Sequence, residues 1–137
     1  MRAVLDANVL VSAAVNRDGT PGQLVAGWLD GRFELVVSPL LLAEAERALG
    51  YPRVAERLPA GRARELLWLL RSEAALADDP VTLTGRSRDP GDDYLLALAE
   101  STRSVLVTGD GDLLALRDQY PVWTPAEMVA ALDAAGV

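Results

Sequence analysis

Residues 2–12 of the chain, Arg-Ala-Val-Leu-Asp6-Ala-Asn8-Val-Leu-Val-Ser12, join two apolar runs through a single aspartate. The first run, residues 3–5, has the length and composition of a short buried strand that ends at Asp6. Other acidic residues stand beside later apolar segments, and they are Glu44, Asp92, Asp93, Asp110 and Asp112. We expect the fold to bring these carboxylates together with Asp6 as one metal-holding cluster.

The length and composition indicate a single globular domain over residues 1–137. Half of the 137 residues are hydrophobic and 24% are charged, which is typical of a chain that buries a core. No apolar stretch approaches the roughly 20 residues that cross a bilayer. The first residues also lack the basic and apolar regions of a signal peptide. We therefore expect a cytoplasmic protein with no membrane partner.

Three residue types are absent, and their absence narrows the chemistry. The chain has no cysteine and no histidine, and all 13 of its basic residues are arginine. This excludes disulfides, thiolate or imidazole catalysis, zinc sites built from Cys or His, and lysine-dependent phosphate binding. The remaining carboxylates suit a hard cation with oxygen ligands, such as Mg²⁺ or Mn²⁺.

The net charge of −7 argues against a protein that coats nucleic acid nonspecifically, because such proteins carry a basic surface. It does not exclude a metal-dependent nuclease, since bound cations offset the local negative field. Four arginines form a local basic cluster, which is either a solvated face or a phosphate contact. They are Arg53, Arg57, Arg62 and Arg64.

Alternating strand and helix patterns predict an α/β fold with a mostly parallel sheet of four or five strands and helices on both faces. The predicted strands cover residues 3–5, 33–37, 104–108 and 122–123, with a possible fifth near 81–83. The predicted helices cover residues 21–30, 39–49, 62–76, 94–102, 113–117 and 125–135. The three tryptophans are expected in the core, and they are Trp28, Trp68 and Trp123.

The predicted topology explains why the acids should converge. Ligands of open α/β sheets bind beyond the carboxyl ends of the strands, where Asp6 and Asp110 are expected. Glu44 lies four residues from both Leu40 and Ala48, which places it on the apolar face of its helix, whereas Glu46 and Arg47 are expected to point elsewhere. Each acid taken singly has another explanation: an aspartate at a strand-to-helix junction is often a helix cap, and Glu44 could lie at a surface edge. Asp93 and Asp112 could be solvated neighbours.

Four segments together resemble the motifs of PIN-domain ribonucleases, and the likeness extends from residue 2 to about residue 125. The first is Val-Leu-Asp6-Ala-Asn8-Val-Leu-Val-Ser12-Ala and the second is Ser38-Pro-Leu-Leu-Leu-Ala-Glu44. The third is Arg88-Asp-Pro-Gly-Asp92-Asp93-Tyr-Leu-Leu-Ala-Leu-Ala99, and the fourth is Val107-Thr-Gly-Asp110-Gly-Asp112-Leu-Leu. The resemblance is closest to the VapC-like toxins of bacterial toxin–antitoxin modules.

The resemblance implies a three-layer α/β/α sandwich and an acidic quartet of Asp6, Glu44, Asp92 and Asp110. It implies Asp112 as an auxiliary acid, and it selects Asp92 over Asp93, which remains the alternative ligand. It also implies Mg²⁺ or Mn²⁺, an RNA substrate, a homodimer, and an antitoxin that blocks the acidic groove.

The residues and the resemblance together predict a metal-dependent endoribonuclease that leaves a 5′-phosphate and a 3′-hydroxyl. Two alternatives stay open: a PIN-like fold that binds a partner without catalysis, and a housekeeping nuclease that processes RNA. A phospho-receiver domain also clusters aspartates, but it requires a lysine that this chain lacks.

Overall fold

The computed structural model describes residues 1–80 and 93–135, and its centre is a five-stranded sheet. The strands are β1 (Arg2–Leu5), β2 (Glu34–Val37), β3 (Ala75–Leu76), β4 (Val105–Val107) and β5 (Val122–Trp123). Their order across the sheet is β3-β2-β1-β4-β5, and every pairing is parallel. The α/β class and the parallel sheet are thus confirmed.

Helices cover the sheet in the connections between strands, as parallel pairing requires. They are α1 (Ala7–Val15), α2 (Thr20–Leu29), α3 (Pro39–Leu49), α4 (Pro52–Ala55), α5 (Arg62–Glu73), α6 (Asp93–Thr102), α7 (Gly111–Leu114) and α8 (Pro125–Ala135). Strand β4 is buried at every position, and β1 and β2 are buried at all but their first residue. This is the pattern of a sheet covered on both faces.

The prediction missed α1, and the reason is its nearly uniform burial. Six of its nine residues are buried, because it packs against α2, α3 and α5. An apolar segment of this kind lacks the polar face that makes an amphipathic helix recognisable. The side chain of Asp6 caps this helix by accepting a hydrogen bond from the backbone N–H of Asn8.

The predicted helix over residues 62–76 was too long. Helix α5 ends at Glu73, Ala74 is extended, and Ala75 and Leu76 pair with Val36 and Val37 of β2. Alanine and leucine favour helix, so the tertiary pairing overrides local propensity here. No helix was predicted where the short helix α4 lies, and α7 begins two residues earlier than predicted. The possible strand at 81–83 lies outside the described residues.

The core lies on both sides of β1, β2 and β4 and is built mainly from leucine, valine and alanine. Trp28 is buried as predicted and Trp123 is half-buried, but the prediction for Trp68 was wrong, because that ring is 62% exposed on α5. Helix α5 instead directs Leu66 and Leu70 into the core. Among the described residues, no helix is long and apolar enough to span a membrane.

Candidate active site

The parallel register of β1 and β4 places Asp6 beside Thr108. Leu5 is paired with Val107, so the residue that follows each strand lies at the carboxyl end of the sheet. The backbone N–H of Asp6 donates to the carbonyl oxygen of Val107 at 3.0 Å, which extends the strand pairing to the acidic residue itself. The position of Asp6 is therefore fixed by the sheet.

Both carboxylate oxygens of Asp6 accept hydrogen bonds, although the side chain is buried. The backbone N–H of Asn8 donates to Oδ1 at 3.0 Å, and the hydroxyl of Thr108 donates to Oδ2 at 2.7 Å. Asp6 is only 8% exposed, and burial of a carboxylate without such bonds would be costly. Each oxygen carries two lone pairs, so both retain capacity for a further ligand.

The hydroxyl of Thr108 also connects Asp6 with Asp110. Thr108 is fully buried, and while its hydroxyl donates to Asp6, its oxygen accepts from the backbone N–H of Asp110 at 3.0 Å. Asp110 then caps α7, since its Oδ2 accepts from the backbone N–H of Leu113 at 3.1 Å. One buried hydroxyl thus sets the spacing of two carboxylate-bearing residues at the ends of adjacent strands.

Glu44 also lies at the carboxyl ends of the strands, on α3, the helix that follows β2. The buried residues of α3 are Leu41, Ala45 and Leu49, whereas Leu40 is 51% exposed. Glu44 therefore lies at the margin of the apolar stripe and not within it, and its side chain is 32% exposed. Its Oε2 accepts a hydrogen bond from the hydroxyl of Tyr94, a buried residue of α6.

The three acids line one cleft of about 280 Å³ at the carboxyl ends of the strands. Asp6, Glu44 and Asp110 come from the elements that follow β1, β2 and β4, three neighbouring strands. The other lining residues in the described part of the chain are Ala7, Asn8, Arg47, Ala48 and Tyr51.

Two further predicted acids, Asp93 and Asp112, lie in the described part of the chain. Asp93 is almost fully buried at the start of α6, and Asp112 is half-buried in the first turn of α7. Neither is among the residues that line the cleft. Asp92 lies outside the described residues.

The donor set of the cleft fits a hard divalent cation by its chemistry, because carboxylate oxygens are what Mg²⁺ and Mn²⁺ prefer. In residues 1–80 and 93–135, however, no three acidic side chains stand close enough to hold an ion as they are arranged. A ligand set built on Asp6, Glu44 and Asp110 therefore requires side-chain rotation, bridging waters or a further carboxylate.

Three residues of this site were not predicted from the sequence. Tyr94 contacts Glu44, and Arg47 and Tyr51 line the cleft. Arg47 was expected to point away from Glu44, but its Nη2 lies 3.7 Å from Glu44 Oε1. The signal was available for Arg47, because residues 44 and 47 lie three apart on one helix. Tyr51 lies beyond the end of α3, where helical spacing does not apply, and no local pattern marked Tyr94, whose contact spans 50 residues.

Comparison with known proteins places these features in a family context. The family model described as PIN domain matches residues 2–112. An uncharacterized protein of Methanocaldococcus jannaschii is 28% identical over 121 residues, which cover 87% of this chain and 77% of that protein.

Two solved structures share the fold. PAE2754 from Pyrobaculum aerophilum has a TM-score of 0.71 and 23% identity, with 98% of this chain and 96% of that chain covered. VapBC2 from Rickettsia felis, bound to a DNA fragment from its promoter, has a TM-score of 0.57 and 12% identity, with 90% and 98% covered. At these identities the likeness establishes a common fold and no more.

The bridging role of Thr108 predicts a specific loss of stability. Replacing Thr108 with Val keeps the shape of the side chain but removes the donor to Asp6 and the acceptor for the N–H of Asp110. We expect Thr108→Val to lower the free energy of unfolding by about 1–3 kcal/mol, because buried polar groups lose their partners. Thr108→Ser keeps the hydroxyl and should lose less. Urea denaturation of both variants measures this, and equal losses would contradict the bridge.

Proposed function

The chain belongs to the PIN domain family, and from this premise we propose that it is a Mg²⁺- or Mn²⁺-dependent endoribonuclease that hydrolyses RNA phosphodiester bonds. Proteins with PIN domains are generally nucleases and typically use divalent metal ions. The observation that carries the proposal is the convergence of Asp6, Glu44 and Asp110 on one cleft, each from a different element.

In the proposed site, Asp6, Glu44, Asp92 and Asp110 hold the metal directly or through water. Asp112 is proposed as an auxiliary ligand and Asp93 as the alternative to Asp92. A bound divalent cation supplies a water of lowered pKa and neutralises charge that develops on the phosphate. The donor chemistry of the cleft supports this assignment.

Residues next to the proposed ligands orient their carboxylates. The hydroxyl of Thr108 and the backbone N–H of Asn8 hold the two oxygens of Asp6, and the hydroxyl of Tyr94 holds Glu44. The chain offers no imidazole to deprotonate a 2′-hydroxyl. We therefore propose attack by water, with a 5′-phosphate and a 3′-hydroxyl as the products.

Replacement of Asp6 by Asn tests the metal proposal. Asn keeps the size of the side chain but removes its negative charge, so we expect cleavage of labelled RNA in Mn²⁺ to fall by at least about 100-fold. EDTA should abolish the activity of the wild-type protein. Asp30→Asn is the matched control. Asp30 is exposed and precedes β2, so it lies at the amino ends of the strands, away from the cleft.

Circular dichroism should show that the Asp6→Asn variant remains folded. Full activity of that variant, or cleavage that persists in EDTA, would refute the assignment. Absence of cleavage by the wild-type protein on every RNA tested, with Mg²⁺ and with Mn²⁺, would instead favour a PIN domain that binds without catalysis.

The hydrogen bond from Tyr94 to Glu44 predicts a change in metal affinity. Tyr94→Phe removes only the hydroxyl, so Glu44 loses the group that orients it. Because outer partners of metal ligands typically contribute 10- to 100-fold to affinity, we expect the Mn²⁺ concentration for half-maximal activity to rise by about that factor. The rate at saturating Mn²⁺ should fall less. Ser72→Ala, which removes a hydroxyl that donates to the carbonyl oxygen of Trp68 within α5, should leave both values unchanged.

We further propose that the chain is a cytoplasmic toxin that forms a homodimer and is blocked by an antitoxin. The resemblance of its motifs to VapC-like toxins supports this, as does a fold shared with the VapC-containing VapBC2 complex. If so, the product of an adjacent small reading frame should co-purify with the chain and suppress both RNA cleavage and growth arrest on expression. Light scattering should give the mass of a dimer. A chain that neither arrests growth nor has such a neighbour fits a housekeeping nuclease instead.

A further inference from the structure

Tyr51 is an aromatic side chain at the margin of the acidic cleft. It lies two residues after the end of α3, it lines the cleft with the three carboxylates, and it is 51% exposed. Among the described residues, no hydrogen bond engages its hydroxyl. The ring is therefore neither part of the core nor held by a polar contact, and one of its surfaces is open to a ligand in the cleft.

Arg47 lines the same cleft as Tyr51 and the carboxylates. It is the one cationic side chain among the described residues that line the cleft, and it is 66% exposed. Its guanidinium group lies 3.7 Å from Glu44, a long and solvated ion pair, and pairs of this kind contribute little. The guanidinium can therefore leave Glu44 for a stronger anionic partner at small cost, and a phosphate is such a partner.

Two neighbouring elements supply these groups. Glu44, Arg47 and Ala48 have the spacing i, i+3 and i+4, so they share one face of α3, and Tyr51 precedes α4 as its cap residue. A carboxylate, a guanidinium group and an aromatic ring thus line the same cleft.

We propose that Arg47 and Tyr51 form a nucleotide subsite beside the carboxylates, in which Arg47 contacts a backbone phosphate and Tyr51 stacks on an unpaired base of the same RNA strand. This rests on the proposed function and names the form of its substrate. A base in a duplex is already stacked on both faces, so an open ring favours a single strand or a loop. Stacking also tolerates every base, so the subsite selects unpaired RNA and not a sequence.

Exposure alone would not support this, because single exposed apolar side chains are common on protein surfaces. Trp68 is more exposed than Tyr51, at 62%, yet none of the residues near it in its surface groove is an acid of the cleft. What distinguishes Tyr51 is its position beside Arg47 and three carboxylates. Trp68 is therefore the appropriate control for loss of an exposed aromatic ring.

The first test measures binding without turnover. Fluorescently labelled single-stranded RNA is titrated with the Asp6→Asn protein in Mg²⁺, and then with the same protein carrying a change at Tyr51. We expect Tyr51→Ala to weaken binding by roughly 5- to 100-fold, the range that loss of one base stack gives. Tyr51→Phe and Tyr51→Trp keep a ring and should stay within about twofold of the parent, and Trp68→Ala should have no effect.

The second test concerns the phosphate contact. Arg47→Ala should weaken binding and make the negative slope of log affinity against log salt concentration less steep by about 0.7 to 1, because one phosphate contact is lost. Arg71→Ala breaks an exposed ion pair with Glu46 outside the cleft and should leave the slope unchanged. A duplex of the same sequence should bind the parent protein more weakly and should be insensitive to Tyr51→Ala.

An abasic RNA series identifies the stacked base. Removal of the base that contacts Tyr51 should weaken binding as much as Tyr51→Ala does, and the two changes together should cost no more than either alone. Additive losses at every position, or equal binding by Tyr51→Ala and Tyr51→Phe, would overturn the subsite. If wild-type protein fails to cleave RNA while Tyr51→Ala still weakens binding, the nuclease proposal fails and the subsite stands.

Discussion

The parallel pairing of β1 with β4 is the constraint on which the site depends. It brings Asp6 and Thr108, which are 102 residues apart in the chain, into a hydrogen bond of 2.7 Å at the carboxyl edge of the sheet. Strand β2 pairs with the other side of β1 and delivers α3, with Glu44, to the same edge. A slip of one residue in the β1–β4 register would turn Asp6 away from Thr108, because strand side chains alternate between faces.

The electrostatic cost of this arrangement is shared among several contacts. Three carboxylates around one cleft repel each other, and Asp6 is nearly buried. Hydrogen bonds from Asn8, Thr108 and Tyr94 engage oxygens of Asp6 and Glu44, while Arg47 offsets part of the summed charge. Since the Arg47 pair is exposed, its contribution is small, and the cleft keeps an excess of negative charge that a divalent cation would neutralise.

The sequence predicted the parts of the fold that depend on local pattern and on the rules of parallel sheets. The strands that end at Asp6 and before Asp110 were identified because short β-rich runs are followed by acidic turn residues, and the edge rule then placed both acids together. Helix α1 and strand β3 were missed because their burial and pairing are set by distant segments. Tyr94 was missed for the same reason, since a contact across 50 residues leaves no periodic trace. Arg47 was misplaced because the apolar stripe of α3 was centred on Leu40 and Glu44 when its buried residues are Leu41, Ala45 and Leu49.

Helix capping and site membership were alternative expectations for the aspartates, and the structure combines them. Asp6 and Asp110 each cap a helix through one carboxylate oxygen, and each also lines the cleft. A cap restricts the rotation of the side chain, because the accepting oxygen must face the backbone N–H of the first turn. The carboxylate is thereby held in a defined direction before any ligand arrives, which lowers the entropy that binding must remove. Glu44 has no such cap, and it is the acid whose orientation depends on a side-chain partner, the hydroxyl of Tyr94.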